Sequence, residues 1–271
     1  SGTPRHLSGG SIACLGLMVL VGSTTAISAK LAIRELPTEL VPLIRFGIAG
    51  MFVAPWGLRA GALPRLIRED GWLLLASAGL SIPINQWFFL HGARLAPASH
   101  VGLIYASCPL VVLLLALGLG RERLNWNRLV GVLITVLGVV VLGLGGLGQG
   151  PAVGAAAGRS VLMGDLLLVG AVLSWGMYLT TAKPLIVRHG AMPTLAGTFL
   201  VGSLLEIPLA VGALATSWDS LAAVSPLAWK SLAFLTLVPT IFGLSLQNLA
   251  MRRLDASQVS AVGNLAPVLT V

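Results

Sequence analysis

Long apolar runs, each close to the length of a membrane-spanning helix, dominate the sequence and restrict the folds open to it. A helix needs about 20 mostly apolar residues to cross a bilayer. We therefore predict an all-α integral membrane protein with about nine transmembrane helices, the last starting at Ser257 and cut off at Val271. The complete predicted helices are Ser11–Ala32, Glu39–Gly57, Trp72–Arg94, Ser99–Gly120, Arg128–Leu147, Leu162–Ile186, Leu195–Ala215 and Trp229–Met251.

The composition indicates that the apolar surface of the folded chain faces lipid. Charged residues make up 10% of the chain and hydrophobic residues 56%, whereas soluble domains carry about 25% charged residues. A soluble globule of this size would expose large apolar patches and aggregate. The formal net charge of +8 is spread in small groups between apolar runs and forms no continuous face. We therefore predict a lipid bilayer and no nucleic acid as partner.

Basic residues in the connecting segments predict the orientation. Counted on alternate sides, eleven Lys and Arg residues fall on the N-terminal side and five on the opposite side, with Arg45 inside a helix. Because basic loops favour the cytoplasm, the N-terminus is predicted to be cytoplasmic. The first apolar run is longer than the core of a secretory signal, which favours a retained helix. The chain starts at Ser1 and stops inside an apolar run, so we expect both ends to be trimmed.

Two parts of the chain resemble each other. Ala98–Val101 aligns with Ala256–Val259, and Pro109 then falls on Pro267 at the same offset. Near the ends of the first and sixth predicted helices, the sequence Ser-Ala-Lys precedes one loop and Thr-Ala-Lys precedes the other. This pattern predicts an internal repeat of five helices, and an odd number of helices inserts the second copy upside down.

The predicted organisation has two inverted five-helix repeats. The first spans residues 1–147, and the second, incomplete one spans residues 161–271. A Gly- and Ala-rich segment, residues 148–160, is the natural linker between them. Inverted repeats place a pocket near the membrane midplane, between the halves.

Several motifs occur in an order and spacing that extend over nearly the whole chain. They are Arg45-Phe46, Pro109, Glu122-Arg123-Leu124, Gly131, Gly138 and Ser174-Trp175-Gly176. Together they resemble the EamA family of the drug/metabolite transporter superfamily, whose ten-helix members consist of two five-helix repeats. The resemblance implies a polytopic permease of the bacterial inner membrane with a central cavity, and it leaves the transported solute open.

Charged side chains at membrane depth cost about 2.5–3.5 kcal/mol on insertion scales, so they are functional candidates. Arg45 either anchors its helix by reaching the interface or acts in substrate binding or gating. Glu206 is either inert and protonated, paired with a cation, or a proton-coupling group. Lys30 and Lys183 occupy equivalent repeat positions, where they either reach the interface or act as paired gates.

Polar and aromatic residues concentrate in five of the predicted helices, the third, fourth, sixth, eighth and ninth, and predict a solute pocket. Such residues can also hold helices together or lie among lipid headgroups, and both alternatives stay open. Three prolines inside helices leave backbone carbonyls free and are predicted hinges, although prolines are common in membrane helices. The predicted pocket residues are Trp87, His91, Tyr105, Trp175, Tyr178, Gln247 and Asn264, and the predicted hinges are Pro83, Pro109 and Pro267.

These observations favour a secondary transporter that moves a small organic metabolite or drug-like solute by alternating access, most simply as an exporter. Glu206 or His91 is a candidate for coupling to protons, and uniport is the alternative. The chain contains no metal-ligand spacing and no phosphate-binding glycine loop, so we predict no metal, no cofactor and no enzyme activity. A membrane enzyme acting on lipid-linked substrates and a non-transporting scaffold are the alternatives. The protein is predicted to be a monomer or a homodimer.

Overall fold

The structure is a computed structural model that describes residues 9–121 and 155–263, together with positions 126, 129, 130, 133, 134 and 137. Every regular element in these residues is a helix, and six of the helices are long and apolar enough to cross a membrane. A shorter apolar helix covers Gly16–Ala32. The predicted all-α class is therefore confirmed, while most of the predicted fifth helix, Arg128–Leu147, lies outside the described residues.

The helices follow one another with short connections. The first half contains α1 (Gly9–Ser23), α2 (Thr25–Ala32), α3 (Leu40–Leu58), α4 (Ala62–Gly79), α5 (Asn85–Leu95), α6 (Ala98–Ala106) and α7 (Cys108–Gly118). The second half contains α8 (Ala155–His189), α9 (Ala191–Leu221), α10 (Pro226–Leu235), α11 (Leu244–Met251) and α12 (Ala256–Gly263). Two tight turns in these connections depend on glycine, because Gly61 and Gly190 adopt φ values of +67° and +97°.

The two largest differences from the predicted helix boundaries are both at helix starts. The predicted third helix starts at Trp72, but α4 starts at Ala62, and its backbone bends at Asp70, where φ is −130° and ψ is 28°. Charged residues before the bend hid this first segment from a search for apolar runs. The helix α8 starts at Ala155, inside the segment predicted as a linker.

Two of the predicted helices are broken by a single residue each. The break between α1 and α2 is at Thr24, and the break between α6 and α7 is at Ser107, two residues before Pro109. At both breaks the hydroxyl donates to the carbonyl three residues earlier, at 2.7 Å. Each of these carbonyls also accepts the backbone N–H of the same residue, so the hydroxyl adds a second bond at the break.

Two long helices contain π-helical segments, each with a proline inside. Leu80–Ile84 joins α4 to α5 and contains Pro83, and Thr236–Gly243 joins α10 to α11 and contains Pro239. A proline lacks the N–H that would bind the carbonyl four residues earlier, so the helix widens locally. The predicted hinge Pro83 therefore lies at a real irregularity of the helix, and Pro239 marks a second one that the sequence interpretation missed.

Helices of the first half pack antiparallel to helices of the second half. Along α3 the contacts run from Gly57, which meets Ala196 of α9, to Gly47, which lies near Ser203. Hydrogen bonds between the α4–α5 helix and α8 show the same reversal, from Ser77 with Thr181 to Asn85 with Ala171. In a similar way, α2 and α1 run alongside α10 and α11, and α7 contacts α12. The surfaces where these pairs meet hold the buried polar side chains.

Candidate functional site

The guanidinium of Arg45 lies inside the protein, where helices from both halves meet. The residue is 5% exposed, and its Nη1 donates to Gln86 Oε1 at 3.2 Å. Its Nε donates to the hydroxyl of Thr240, and its Cζ lies 4.7 Å from the centre of the Phe46 ring. The side chain therefore points to the protein interior, and its role in substrate binding or gating stays a prediction.

A chain of hydrogen bonds leads from Arg45 across α5 to α8. Gln86 Nε2 donates to Asn85 Oδ1 at 2.9 Å, and Asn85 Nδ2 donates to the carbonyl of Ala171 at 2.7 Å and to Ser174 Oγ at 3.2 Å. Both amides are buried. Each amide offers its oxygen toward Arg45 and its nitrogen away from it, so the chain disperses the positive charge but supplies no negative charge. We call Arg45, Asn85, Gln86, Ser174 and Thr240 the central polar network.

The π-helical segment around Pro239 positions Thr240. Because Pro239 has no N–H, the carbonyl of Leu235, four residues earlier, has no α-helical donor, and the helix adopts π-helical spacing there. The Thr240 hydroxyl donates to this carbonyl at 2.7 Å and accepts the bond from Arg45. On the other side of Arg45, Asn85 and Gln86 directly follow the π-helical segment Leu80–Ile84. Irregular segments from both halves therefore meet at the central polar network.

Three of the predicted pocket residues come together beside this network. Tyr105, Trp175 and Tyr178 belong to one apolar cluster, and the rings of Trp175 and Tyr178 are 4.9 Å apart. Tyr105 packs edge-on against Phe89 at 5.6 Å, and its hydroxyl interacts with the Asn85 side chain. The aromatic cluster and the central polar network thus form one continuous surface, suited to an organic solute that has both apolar and charged parts.

Glu206 is the buried acid of the second half. It is 2% exposed, and its Oε2 has no hydrogen-bond partner among the described residues. The neighbouring Ser203 turns its hydroxyl to the carbonyl of Phe199, at 2.6 Å. A carboxyl group in this position can take up or release a proton without breaking an ion pair.

Trp87 and His91 lie on the exposed face of α5, away from Asn85 and Gln86. Trp87 is 41% exposed, and its ring is 4.7 Å from that of His91. The His91 Nε2 lies 3.3 Å from a carboxylate oxygen of Glu39, which also interacts electrostatically with Glu206. His91 therefore lies near Glu39, just before α3, which in turn interacts with Glu206 on α9. The binding role of Trp87 and His91 stays a prediction.

The remaining predicted pocket residues lie at the far end of the chain. Gln247 has a buried Nε2 without a partner among the described residues, next to the fully buried Asn248, whose Nδ2 donates to Leu244 at 2.9 Å. Asn264 and the predicted hinge Pro267 lie outside the described residues. The predicted hinge Pro109 is buried in the first turn of α7, directly after the break at Ser107.

Lys30 and Lys183 bind equivalent places in the two halves. The Nζ of Lys30 donates to the carbonyl of Ala96, just past the end of α5, at 3.4 Å. The Nζ of Lys183 donates to the carbonyls of Met251 and Leu254, at and just past the end of α11. Each lysine therefore caps the carboxyl end of a helix, where carbonyls lack helical partners and a cation is favoured.

Besides the central polar network, two further polar contacts between the halves lie at helix ends. The carboxylate of Glu35, which follows α2, accepts from the backbone N–H of Ser225 at 2.6 Å and from its hydroxyl at 2.7 Å. These bonds at the start of α10 hold the pKa of the exposed Glu35 carboxyl below its ordinary value. We call this contact the 35–225 clasp.

The second contact lies between the bend of α4 and the end of α8. Asp70 is bonded by Arg188 Nη1 at 3.0 Å and by His189 Nε2 at 2.8 Å. We call it the 70–189 clasp. The 35–225 clasp joins the end of the first helix of the first half to the start of α10, the third long helix of the second half. The 70–189 clasp joins the end of α8, the first helix of the second half, to the start of the α4–α5 helix, the third long helix of the first half.

Several of these residues were not assigned a role from the sequence. Asn85 and Gln86 were visible as amides in an apolar run, which is a usable signal. Ser174 was visible only as part of the Ser174-Trp175-Gly176 motif. Thr240 and Glu39 had no signal, because a hydroxyl in a membrane helix and a carboxylate at a helix start are both common. Within the described residues, no group of three or more His, Cys, Asp or Glu residues could hold a metal ion.

Comparisons with known proteins agree with this architecture. The sequence model described as the EamA-like transporter family matches residues 8–144 and again residues 162–271. A solved crystal structure superposes with a TM-score of 0.73 over 97% of this chain and 86% of the other, at 21% identity, which supports the fold alone.

Three curated bacterial relatives match most of the chain. An uncharacterized transporter of Bacillus subtilis, YetK, is 24% identical over 97% of this chain and 78% of its own length. A probable amino-acid metabolite efflux pump of Escherichia coli is 26% identical over 93% of this chain and 82% of its own length. The aromatic amino acid exporter YddG of Ancylobacter novellus is 23% identical, over 93% of this chain and 83% of its own length.

Proposed function

Since this chain belongs to the EamA-like transporter family, we propose that it exports a small organic metabolite, with amino acids and their derivatives as the first solutes to test. Family membership makes the chain a multi-pass membrane transporter and removes the membrane enzyme and the scaffold as alternatives. The efflux functions named for the Escherichia coli and Ancylobacter relatives support export. The bacterial inner membrane, with a cytoplasmic N-terminus, is the location that fits the relatives and the distribution of basic residues.

The central polar network is the observation that carries the proposal. Burying amides, hydroxyls and a guanidinium together in apolar surroundings is costly, and inside a membrane such groups usually mark a solute or ion pathway. Here they are contributed by both halves and meet at two π-helical segments, which often occur at functional sites. The neighbouring Tyr105, Trp175 and Tyr178 supply an apolar wall for the organic part of a solute.

Alternating access is the mechanism that the packing favours. The antiparallel pairing of helices between halves, and the two separate matches to one family model, are what two inverted repeats produce. In such an arrangement the 35–225 clasp and the 70–189 clasp lie on opposite sides of the membrane. One clasp would open while the other stays closed, and the solute at the centre would face each side in turn.

Protons are the coupling ion that the buried acid supports. Glu206 can gain or lose a proton without losing an ion pair. It interacts with the carboxylate of Glu39, which in turn contacts His91 on the exposed face of α5. An exporter with such a group exchanges an entering proton for a leaving solute. Uniport is the outcome if transport proves independent of the pH gradient.

The test is transport by the purified protein in liposomes. Liposomes are loaded with radiolabelled phenylalanine, threonine or another amino acid. The release of the label is then measured with no ATP present. We expect at least one solute to cross faster than in liposomes that contain a heat-denatured sample. If no amino acid, organic acid or amine of a broad panel crosses, the proposed export function is wrong.

A further inference from the structure

We propose that Arg45 binds a carboxylate group of the transported solute, so that this protein carries organic acids, amino acids among them, and not plain amines or neutral solutes. The inference rests on the proposed export function and names the substrate class of its central site. It starts from an electrostatic imbalance in the central polar network. The proposed binding site is the set of Arg45 N–H groups that have no hydrogen-bond partner among the described residues.

The first step concerns the missing counter-charge. The hydrogen-bond partners of Arg45 are the neutral oxygens of Gln86 and Thr240. Among the described residues no carboxylate lies within ion-pair distance of it, and the buried acid Glu206 is not bonded to it. Removing a guanidinium from water without an anion costs several kcal/mol, so buried arginines are normally paired. A solute anion would complete this pair.

The second step concerns the free donors. A guanidinium has five N–H groups in one plane. Within the described chain, Nε uses one on Thr240 and Nη1 uses one on Gln86, which leaves three. Two parallel N–H groups of a guanidinium fit the two oxygens of a carboxylate, which is the geometry that makes this pairing specific.

The third step concerns how the guanidinium is held. Thr240 is held by its bond to the Leu235 carbonyl, and Gln86 by its bond to Asn85, so both partners of Arg45 have fixed orientations. A guanidinium held in this way binds an anion without losing much side-chain entropy. The π-helical segments on both sides are irregularities of a kind that is frequent at functional sites.

The experiment compares acids with their amides. Binding of phenylalanine, phenylalaninamide and 3-phenylpropanoate to the detergent-purified protein is measured by calorimetry, followed by the same series for threonine and glutamine. We expect the acids to bind at least about 30-fold more tightly than the amides, because the amides lack the carboxylate that would pair with Arg45. In Arg45→Gln this preference disappears, and in Arg45→Lys, which keeps the charge but not the planar pair of donors, it is partly retained.

Arg94→Gln is the matched control, since Arg94 is exposed at the end of α5 and lies outside the central polar network. It should keep the full preference for acids. Equal binding of acid and amide by the native protein overturns the inference, as does a preference that survives Arg45→Gln or a failure of every acid to bind. If the liposome assay then shows transport of amines or neutral solutes, the export function stands and only the carboxylate site is wrong.

Discussion

Thr240 shows how a single side chain links backbone geometry to the binding site. Its hydroxyl has one proton, which goes to the Leu235 carbonyl at 2.7 Å, so its oxygen can only accept from Arg45. The bond to the Leu235 carbonyl fixes the direction of the hydroxyl, and the oxygen then supplies the partner that the buried Arg45 Nε would otherwise lack.

Replacing this hydroxyl by a methyl group should be costly. We expect Thr240→Val to lower the free energy of unfolding by about 1–3 kcal/mol, because the buried Arg45 Nε loses its hydrogen-bond partner. Thr236→Val is the control: that hydroxyl is also buried, but it bonds only the Leu232 carbonyl, which keeps a backbone partner. Thermal unfolding in detergent measures both variants, and equal losses would show that the Arg45 contact is unimportant.

Glu206 carries the prediction on coupling. We expect Glu206→Gln to fold normally, because a neutral amide of the same shape replaces a carboxyl that lacks an ion-pair partner. In liposomes the native protein should transport faster when the pH gradient is imposed, and the variant should transport at one rate with or without it. Glu69→Gln, at an exposed position on α4, is the control. If Glu206→Gln still responds to the pH gradient, Glu206 is not the group that couples transport to protons.

Sequence patterns predicted these residues unevenly. Arg45 and Glu206 stood out because charge is rare in apolar runs, and Tyr105, Trp175 and Tyr178 because aromatic and polar groups were concentrated there. The depth and direction of a side chain are a different matter. Arg45 lies near enough to a helix end to reach the interface, and only its contacts with Gln86 and Thr240 show that it turns inward.

Helix packing in this protein depends on close backbone approach. At Gly164 of α8, an added Cβ would lie 2.8 Å from the backbone nitrogen of Ala96 and 2.9 Å from Leu95 Cβ. Backbone atoms cannot move aside as a side-chain end can, so the helices would have to separate. The same approach places the Ala96 carbonyl within reach of Lys30.

A methyl group at this contact should therefore destabilise the fold. We expect Gly164→Ala to lower the free energy of unfolding by about 1–3 kcal/mol through overpacking. Gly212→Ala on α9 is the matched control, because an added Cβ there meets nothing within 4 Å. That change should be neutral or stabilising by up to about 1 kcal/mol, as expected for alanine in a helix. Thermal unfolding of both variants decides between packing and propensity.

Helix boundaries followed from the sequence where apolar runs ended at glycine or proline, and failed where the helix continued into polar residues. The first segment of α4 carries Arg65, Arg68 and Asp70, so hydropathy alone could not include it. The π-helical segments also left no clear pattern. A proline predicts an interruption, but whether the helix bends, breaks or widens depends on which neighbour satisfies the freed carbonyl, as at Pro239.

The Glu35 carboxyl gives one end of the molecule a dependence on pH. The bonds from Ser225 lower its pKa, so the 35–225 clasp is complete above the ordinary value of about 4.3 and is lost as the pH falls through the lowered pKa. We expect spin labels at Arg34→Cys and Leu227→Cys, in a Cys14→Ser/Cys108→Ser background, to separate between about pH 7 and pH 3. Adding Glu35→Gln should give the larger distance at both pH values. A distance that ignores both changes means that this contact does not hold the end closed.

At the scale of the whole molecule, alternating access requires that each end opens independently. Both clasps are formed in this structure. We predict that joining either clasp covalently stops transport. Cysteine pairs at Glu35 and Ser225, or at Asp70 and His189, are placed in the Cys14→Ser/Cys108→Ser background and linked with a short bifunctional thiol reagent.

Linking one clasp should leave the opposite end free to open, so cysteine labelling there continues while net transport falls to the level of empty liposomes. A pair at Leu58 and Arg65, which flanks the Arg59–Gly61 turn within the first half, is the control and should transport normally after linking. If the two halves are inverted repeats, each clasp is the counterpart of the other. Both links should therefore have the same effect. If one clasp can be linked without loss of transport, the solute leaves by another route, and two inverted halves that rock about a central site do not describe this protein.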